Sequence, residues 1–582
     1  MKTLLSIVAV SLFLGSATLA EEHALHRFER KQLTNVYFSE GAGFGDINGD
    51  GKTDLVYGPL WWAGPDWKVA KEIYPPKPQN REGYADSFFN WVHDVNGDGR
   101  PDLLLVGLPG TPAYLFENPG PDGLDKPWKK HKVLDSCGNE SPQFVNLVGD
   151  AMPELVCIKD GKYGFAVVNR EQPFGAWEFH PVSEQGGGVF THGLGVGDVN
   201  GDGRLDLIHA KGWIEQPAEN PTGSRWMAHE AKLSSAYGGA DMFAYDVDGD
   251  GDNDIITSEA AHDFGLSWYE QKKEGNEATF TRHTIVGSKA SQNRYGVVFS
   301  EPHAIVLADM DGDGLKDIVT GKTYYSHHKG SPMWDAGAVV YWFRLNRTKD
   351  GVDWVPFLAN GESGIGRHLQ VADVNGDQLL DIVAGGMKGA HVLLHQKQAV
   401  DEAAWKAAQP QPLKVVDVPV PAKEIKRLGP KSPIDQKSGK VAGALEGESL
   451  KFEASGGKAF AQDMGGFDAD QWSGDRQLFW RDAKPGDKLT LHLPPHEGKA
   501  TLELVLTCAR DYGIVKLAID GKPLGEPVDL YNADVITSGV LRFQDLELKA
   551  GPHQLEVEIS GANAKAAKAY MFGLDYVRLK SP

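Results

Sequence analysis

From the N-terminal region to Gln396, short apolar runs alternate with polar, glycine-rich turns, and one arrangement keeps returning. A short strand (194–197 or 305–308) leads into an acidic loop, and a second strand follows at 207–208 or 318–319. A third strand comes next (114–117, 213–216, 266–271, 339–344), and a fourth opens at Trp128, Trp177, Trp226, Phe280 or Trp354. The repeat recurs at about 50 to 65 residues, the scale of one four-stranded propeller blade. An extra copy of the fourth strand, 28–33, precedes the first loop, while the seventh unit ends at 392–395 without one. The N-terminal strand is therefore expected to complete the last blade and close the ring, which removes free sheet edges.

Past Gln396 the pattern breaks into an Ala, Lys and Pro-rich stretch suited to a semi-extended linker. From Gly439, alternating strands resume at 489–493, 501–506, 514–519 and 553–559, with turn signals such as Asp520-Gly521-Lys522-Pro523 between them. The expected fold is all-β: a seven-bladed β-propeller with calcium loops over 21–397, a linker over 398–438 and a β-sandwich of jelly-roll type over 439–582.

Each repeat carries the loop Asp-x-Asn/Asp-Gly-Asp-Gly-x-x-Asp. It is complete in five copies: Asp46, Asn48, Asp50, Asp54; Asp94, Asn96, Asp98, Asp102; Asp198, Asn200, Asp202, Asp206; Asp246, Asp248, Asp250, Asp254; and Asp309, Asp311, Asp313, Asp317. A weaker copy is Asp373, Asn375, Asp377, Asp381, where Gln378 replaces a glycine, and a second weak copy runs from Asn146 to Glu154. Carboxylates at positions one, five and nine with Asn or Asp at three place four oxygens around one point, the coordination that a hard cation such as calcium prefers. Several structural calcium sites are expected.

Lys2, the apolar run 4–14 and Thr18-Leu19-Ala20 before Glu21-Glu22 form a secretory leader over 1–20, cleaved near Ala20. The mature chain is expected in the periplasm or outside the cell, without membrane insertion. A formal net charge of −21 opposes the phosphate backbone and excludes a nucleic-acid partner. Three cysteines are too few for a disulfide scaffold; Cys137 and Cys157 flank one repeat and are read either as a pair or as two buried small residues.

The acidic loops resemble the FG-GAP and VCBS repeat families, including the heads of integrin alpha chains, over roughly Glu22 to Gln396. That resemblance implies a propeller with structural calcium and leaves function open. The segment 444–579 is similar to galactose-binding-like sandwiches used as carbohydrate-binding modules, on Leu445-Glu446-Gly-Glu448, Gly573-Leu-Asp575-Tyr576-Val and the run from Arg510. The likeness implies a structural calcium shared by Glu446 or Glu448 with Asp575. Trp472, Trp480, Tyr512 and Tyr531 are candidate sugar-stacking or core aromatics.

The second-to-third connections at 257–265 and 321–337 and the link 287–302 are expanded, and extended loops on a rigid ring carry function. His192, His303 and His368 lead into inner strands at nearly the same phase, near Glu301 and Arg367, and are expected to converge at the channel mouth as metal ligands or a general base. Tyr324 and His327 are the candidate acids. His131, His180, His229 and His283 recur in the fourth strand and read as packing residues, as do Trp61, Trp62, Trp213, Trp268 and Trp342 in the core. The leading reading is a secreted calcium-binding propeller that binds a polysaccharide or oligosaccharide. The competing reading is a carbohydrate lyase or dehydratase with a transition metal at the mouth, on a resemblance to aldos-2-ulose dehydratase and propeller-fold polysaccharide lyases. A cell-surface interaction protein is the third.

Overall fold

The computed structural model describes residues 23–581 except 185, 235–237, 275–276, 326–329, 414–426, 436–437, 466 and 468–469. The secretory leader and His327 lie outside the described residues. The chain divides into two compact units, Met1–Lys414 and Val415–Pro582.

The described part of the first unit holds seven four-stranded antiparallel sheets, two of which join edge to edge through a parallel pairing of Leu194 with Asp241. In every sheet the acidic loop joins the innermost strand to the second, and the second strand starts on the ninth loop residue: Asp54, Asp102, Glu154, Asp206, Asp254, Asp317 and Asp381. The last sheet takes its outer strand from the N-terminus, where Ala24–Thr34 pairs with Gly389–Ala399 from Ala24↔Ala399 to Thr34↔Ala390.

Apolar residues from each sheet pack against the next. Trp61 and Val56 meet Leu103 and Leu105; Ile208 and Trp213 meet Ile255 and Tyr269; Val383 and Val392 of the last sheet meet Leu55, Tyr57 and Trp62 of the first. The sheets thus follow one another in a closed circuit. The shared chemistry of the ninth position is a brace: Asp206 accepts from the Val199 N–H at 3.0 Å and the Gln216 N–H at 2.9 Å, Asp102 and Asp254 accept from their counterparts, and Glu154 accepts from Leu147 and Val148 of its own turn. Side chains also clasp the loop of the preceding sheet. Asn118 donates to the Ile47 carbonyl, Gln216 to Leu147, Gln271 to Val199 and Arg347 to Val247, at 2.9 to 3.0 Å.

Described residues at both ends of the expected linker are held by the two units. The strand before it continues to Ala399, a short helix follows at Glu402–Ala408, and Leu413 donates its N–H to Arg294. On the far side Gly429 and Val540 exchange backbone bonds with Ser538 and Pro430. The second unit is a sandwich of two six-stranded sheets around Leu478, Trp480, Leu491, Leu504, Leu517, Val557 and Leu574.

Candidate functional site

The residue six positions ahead of each acidic loop leads into an inner strand, and the seven are Glu40, Phe88, Glu140, His192, Ala240, His303 and Arg367. Equal register in equivalent strands puts side chains on the same face at the same depth. Four of the polar members meet. Glu140 Oε2 lies 3.2 Å from Arg367 Nη1 and 3.4 Å from both His192 Nε2 and His303 Nε2. A further histidine, His262, arrives from the expanded connection between Asp254–Ser258 and Leu266–Glu274. Its Nε2 stands 3.4 Å from that of His303, and its ring centroid is 4.6 Å from those of both His192 and His303. One ligand atom each from Glu140, His192, His262 and His303 falls within 4.8 Å of the others. Glu140 and His303 are buried and His192 and His262 half-buried, so the cluster opens on the side of the latter two.

Burial pushes the Glu140 carboxyl up, but the Arg367 guanidinium and His192 outweigh it and hold the group at about 2. Arg367 is buried and faces a second carboxyl, Glu40, whose backbone oxygen also accepts the Arg367 N–H at 2.6 Å. Burial raises Glu40, which accepts the Tyr37 hydroxyl hydrogen. The two acids flanking Arg367 are therefore pushed in opposite directions. Beside His303, buried Glu301 pairs with buried Lys322 and holds a left-handed backbone at φ 59°, a conformation that costs about 1–3 kcal/mol and clusters at functional sites.

The donor set fits a transition metal. Imidazoles with one carboxylate suit zinc, iron, copper or nickel, and His192 Nε2 is buried with only its 3.4 Å approach to Glu140 Oε2. Of the expected residues, His192 and His303 are in place, and His368 is not. His368 stands five residues ahead of its loop, one position out of phase, so its side chain turns to the opposite face. There it accepts from the Asn90 N–H at 3.3 Å, meets Gln370 and packs on Phe89 and Trp91, and burial lowers it to about 3. Arg367 holds the in-phase position. Tyr324 packs with Tyr37, Ala85 and Met387, its ring under Arg81 and Lys388. Glu140 and His262 are additions to the expected set; the strict six-residue register finds the first and no periodic signal finds the second.

In the acidic loops, position one gathers the N–H groups of its own turn: Asp198 accepts from Gly201, Asp202 and Gly203 at 2.7 to 3.0 Å. Three carboxylates close within 4.8 Å of one another in two loops, Asp246, Asp248 and Asp250, and Asp309, Asp311 and Asp317. The fourth-strand histidines pack as expected, with His229 and His283 stacked on Trp213 and Trp268 and bonded to Glu215 and Glu270 at 2.7 Å. Cys137 and Cys157 are buried free thiols. In the sandwich, Trp472, Trp480 and Tyr512 are core residues, and the exposed large aromatics are Phe452, Phe460 and Phe467. Burial and the neighbouring Glu446 and Glu448 push the Asp575 carboxyl well up, and one oxygen of each of the three is buried without a hydrogen-bond partner. That donor set fits a hard cation.

The family model for FG-GAP-like repeats matches residues 246–320 and 309–384. No curated protein matches the sequence. Among solved structures, the chain is similar to an exo-β-1,3-galactanase from Phanerochaete chrysosporium bound to β-1,3-galactotriose (10% identity, 96% of this chain and 100% of that one, TM-score 0.21). It is also similar to the CBM35 of Paenibacillus barcinonensis (12% identity, 24% and 98%, TM-score 0.18). A third is the CBM36-1 domain of a multidomain xylanase from the hindgut metagenome of Trinervitermes trinervoides (14% identity, 24% and 96%, TM-score 0.16). At those TM-scores the likenesses carry no weight for fold or function. The matched residues hold the last three of the seven loops.

Proposed function

We propose that the first unit is a secreted, calcium-braced seven-bladed β-propeller that binds a polysaccharide or oligosaccharide and acts on it as a metal-dependent lyase or dehydratase, with the sandwich as its carbohydrate-binding module. The observation that carries this reading is the convergence of Glu140, His192, His262 and His303 from four different sheets onto one point. The closed circuit of four-stranded sheets supports the propeller, the acidic loops support calcium, and the N-terminal pattern supports secretion.

A divalent transition metal bound there would polarise the carbonyl or carboxylate oxygen beside the carbon–hydrogen bond that an elimination breaks. The protein's own groups set the conditions. Arg367 keeps Glu140 a carboxylate, the form that ligates. Packed inner strands exclude water from all but the His192 and His262 side. Tyr84, half-buried with the Arg367 guanidinium 5.9 Å from its ring centre, brings a phenol ring beside the arginine that pairs with Glu140. We assign it a proton-transfer role beside Tyr324, and His327 lies outside the described residues.

Incubation with a panel of acidic and neutral polysaccharides, followed by ultraviolet absorbance of unsaturated sugar products, tests the reading. Wild type should turn over at least one of them, and Tyr84→Phe should slow that turnover by roughly 100-fold or more, as loss of a general acid or base does. Binding without turnover across the panel would overturn the enzyme and leave the binder. That second reading has its own observation, the exposed Phe452, Phe460 and Phe467, whose ring faces suit sugar stacking.

A further inference from the structure

Three of the four convergent groups sit on short segments leading into inner strands, and one residue contacts all of those segments. Asp241 begins the inner strand of the fifth sheet. Its Oδ1 accepts from Gln143 Nε2 at 2.7 Å, three residues after Glu140. Its Oδ2 accepts from the Ile305 N–H at 3.0 Å, two residues after His303. Its backbone pairs in parallel with Leu194, two residues after His192. Its carbonyl accepts from Thr257 Oγ1 at 3.2 Å, at the base of the connection that carries His262. Both carboxylate oxygens are thus spent on two different sheets, while the main chain holds a third and the start of the fourth segment.

We propose that Asp241 is the positioning residue of this centre, the tie that fixes Glu140, His192, His262 and His303 in mutual register so that they bind a divalent transition metal. The inference rests on the metal reading above. Other bonds join these segments two at a time, the Glu140 N–H to the Thr191 carbonyl at 3.0 Å, the Leu194 N–H to Ser141 Oγ at 3.0 Å and the Glu301 N–H to the Asp263 carbonyl at 2.8 Å, whereas Asp241 contacts all four. A ligand group held at one end by a hydrogen-bonded neighbour loses metal affinity by roughly 10- to 100-fold when that neighbour is removed.

The chemistry of the two contacts gives a conservative rescue. An Asp241→Asn side chain keeps one oxygen for the Ile305 N–H, and its amide can donate to Gln143 once the Gln143 amide turns to present its oxygen. Asp241→Ala has no such recourse and leaves the Ile305 N–H and the Gln143 amide without their acceptor.

Cobalt(II) titration of the full chain, read by its visible absorption spectrum and dissociation constant, is the test, with calcium present throughout to occupy the acidic loops. Wild type should bind one cobalt outside those loops with an absorption band that His303→Ala loses. Asp241→Ala should weaken that binding by tenfold or more and alter the band, and Asp241→Asn should restore both. Should Asp241→Ala fail to fold, Gln143→Leu removes one of the two ties and should weaken cobalt binding several-fold. Asp241→Ala binding cobalt as tightly as wild type with the same spectrum, or Asp241→Asn behaving no better than Asp241→Ala, would overturn the role of Asp241 alone. In the Gln143→Leu arm, unchanged affinity and band would do the same. A wild-type chain that takes up no cobalt would overturn the metal centre and the tie with it.

Discussion

Arg367 is buried between Glu140, at 3.2 Å, and Glu40. Removing one partner of a buried charge network leaves the others uncompensated, at about 3–5 kcal/mol. Arg367→Met should therefore lower the unfolding free energy of the first unit by about that amount in denaturant titration, whereas an effect within experimental error would mean that the two acids do not depend on it. The register that places Arg367 is legible in the sequence: counting six residues back from each loop picks out Glu40, Glu140, His192, His303 and Arg367 together. Reading the phase loosely admits His368, one residue later, and a single step along a strand sends the side chain to the other face. His262 is a different case. It lies in an irregular connection whose course depends on packing, and only the unusual length of 257–265 marks it.

At the level of the strands and loops, the ninth loop residue braces its own turn while an Asn, Gln or Arg from the next sheet clasps it. The sequence marks the acidic residues as candidate cation ligands and carries no sign of the brace, because its partners are backbone N–H groups that any residue supplies. Burial raises these carboxyls above the ordinary 3.8, to about 6 for Asp54, about 7 for Asp102, Asp206 and Asp254 and about 8 for Asp317. A raised folded-state value means that the native state takes up protons between the two values, so without a cation stability falls as pH rises through roughly 4 to 8. A calcium ion bound among the carboxylates would oppose that loss. The calcium-induced rise in melting temperature should be larger at pH 8 than at pH 5 by scanning calorimetry, and an equal rise at both would show that the loops do not hold the ion.

For the whole molecule, the two units have separate cores, one in the paired seven sheets and one in the sandwich. Two unfolding transitions are expected, and their pH responses should differ. In the sandwich, Glu503 is almost fully buried and bonded to Arg542, Arg578 and Lys580 at 3.0, 2.6 and 3.2 Å. Burial raises its carboxyl, but these three cations dominate and hold it at about 2, below the ordinary 4.5. A depressed folded-state value gives stability that is complete above about pH 4.5 and lost as pH falls toward 2. The sandwich transition should therefore drop in that window, and Glu503→Gln should flatten the dependence; an unchanged slope would place the acid sensitivity elsewhere. The division into a repeat region and an alternating-strand region was visible in the sequence. The ends of the linker were not, since residues on both sides of it are held by backbone bonds to Arg294 and Ser538 that composition does not reveal.

The account depends most on the identity of the metal-ligating group, and elemental analysis of the purified chain after dialysis against calcium tests it directly. Wild type and His368→Ala should retain one transition-metal ion, and His262→Ala should lose it. A metal retained by His262→Ala and lost from His368→Ala, or no transition metal in wild type, would contradict the centre built from Glu140, His192, His262 and His303.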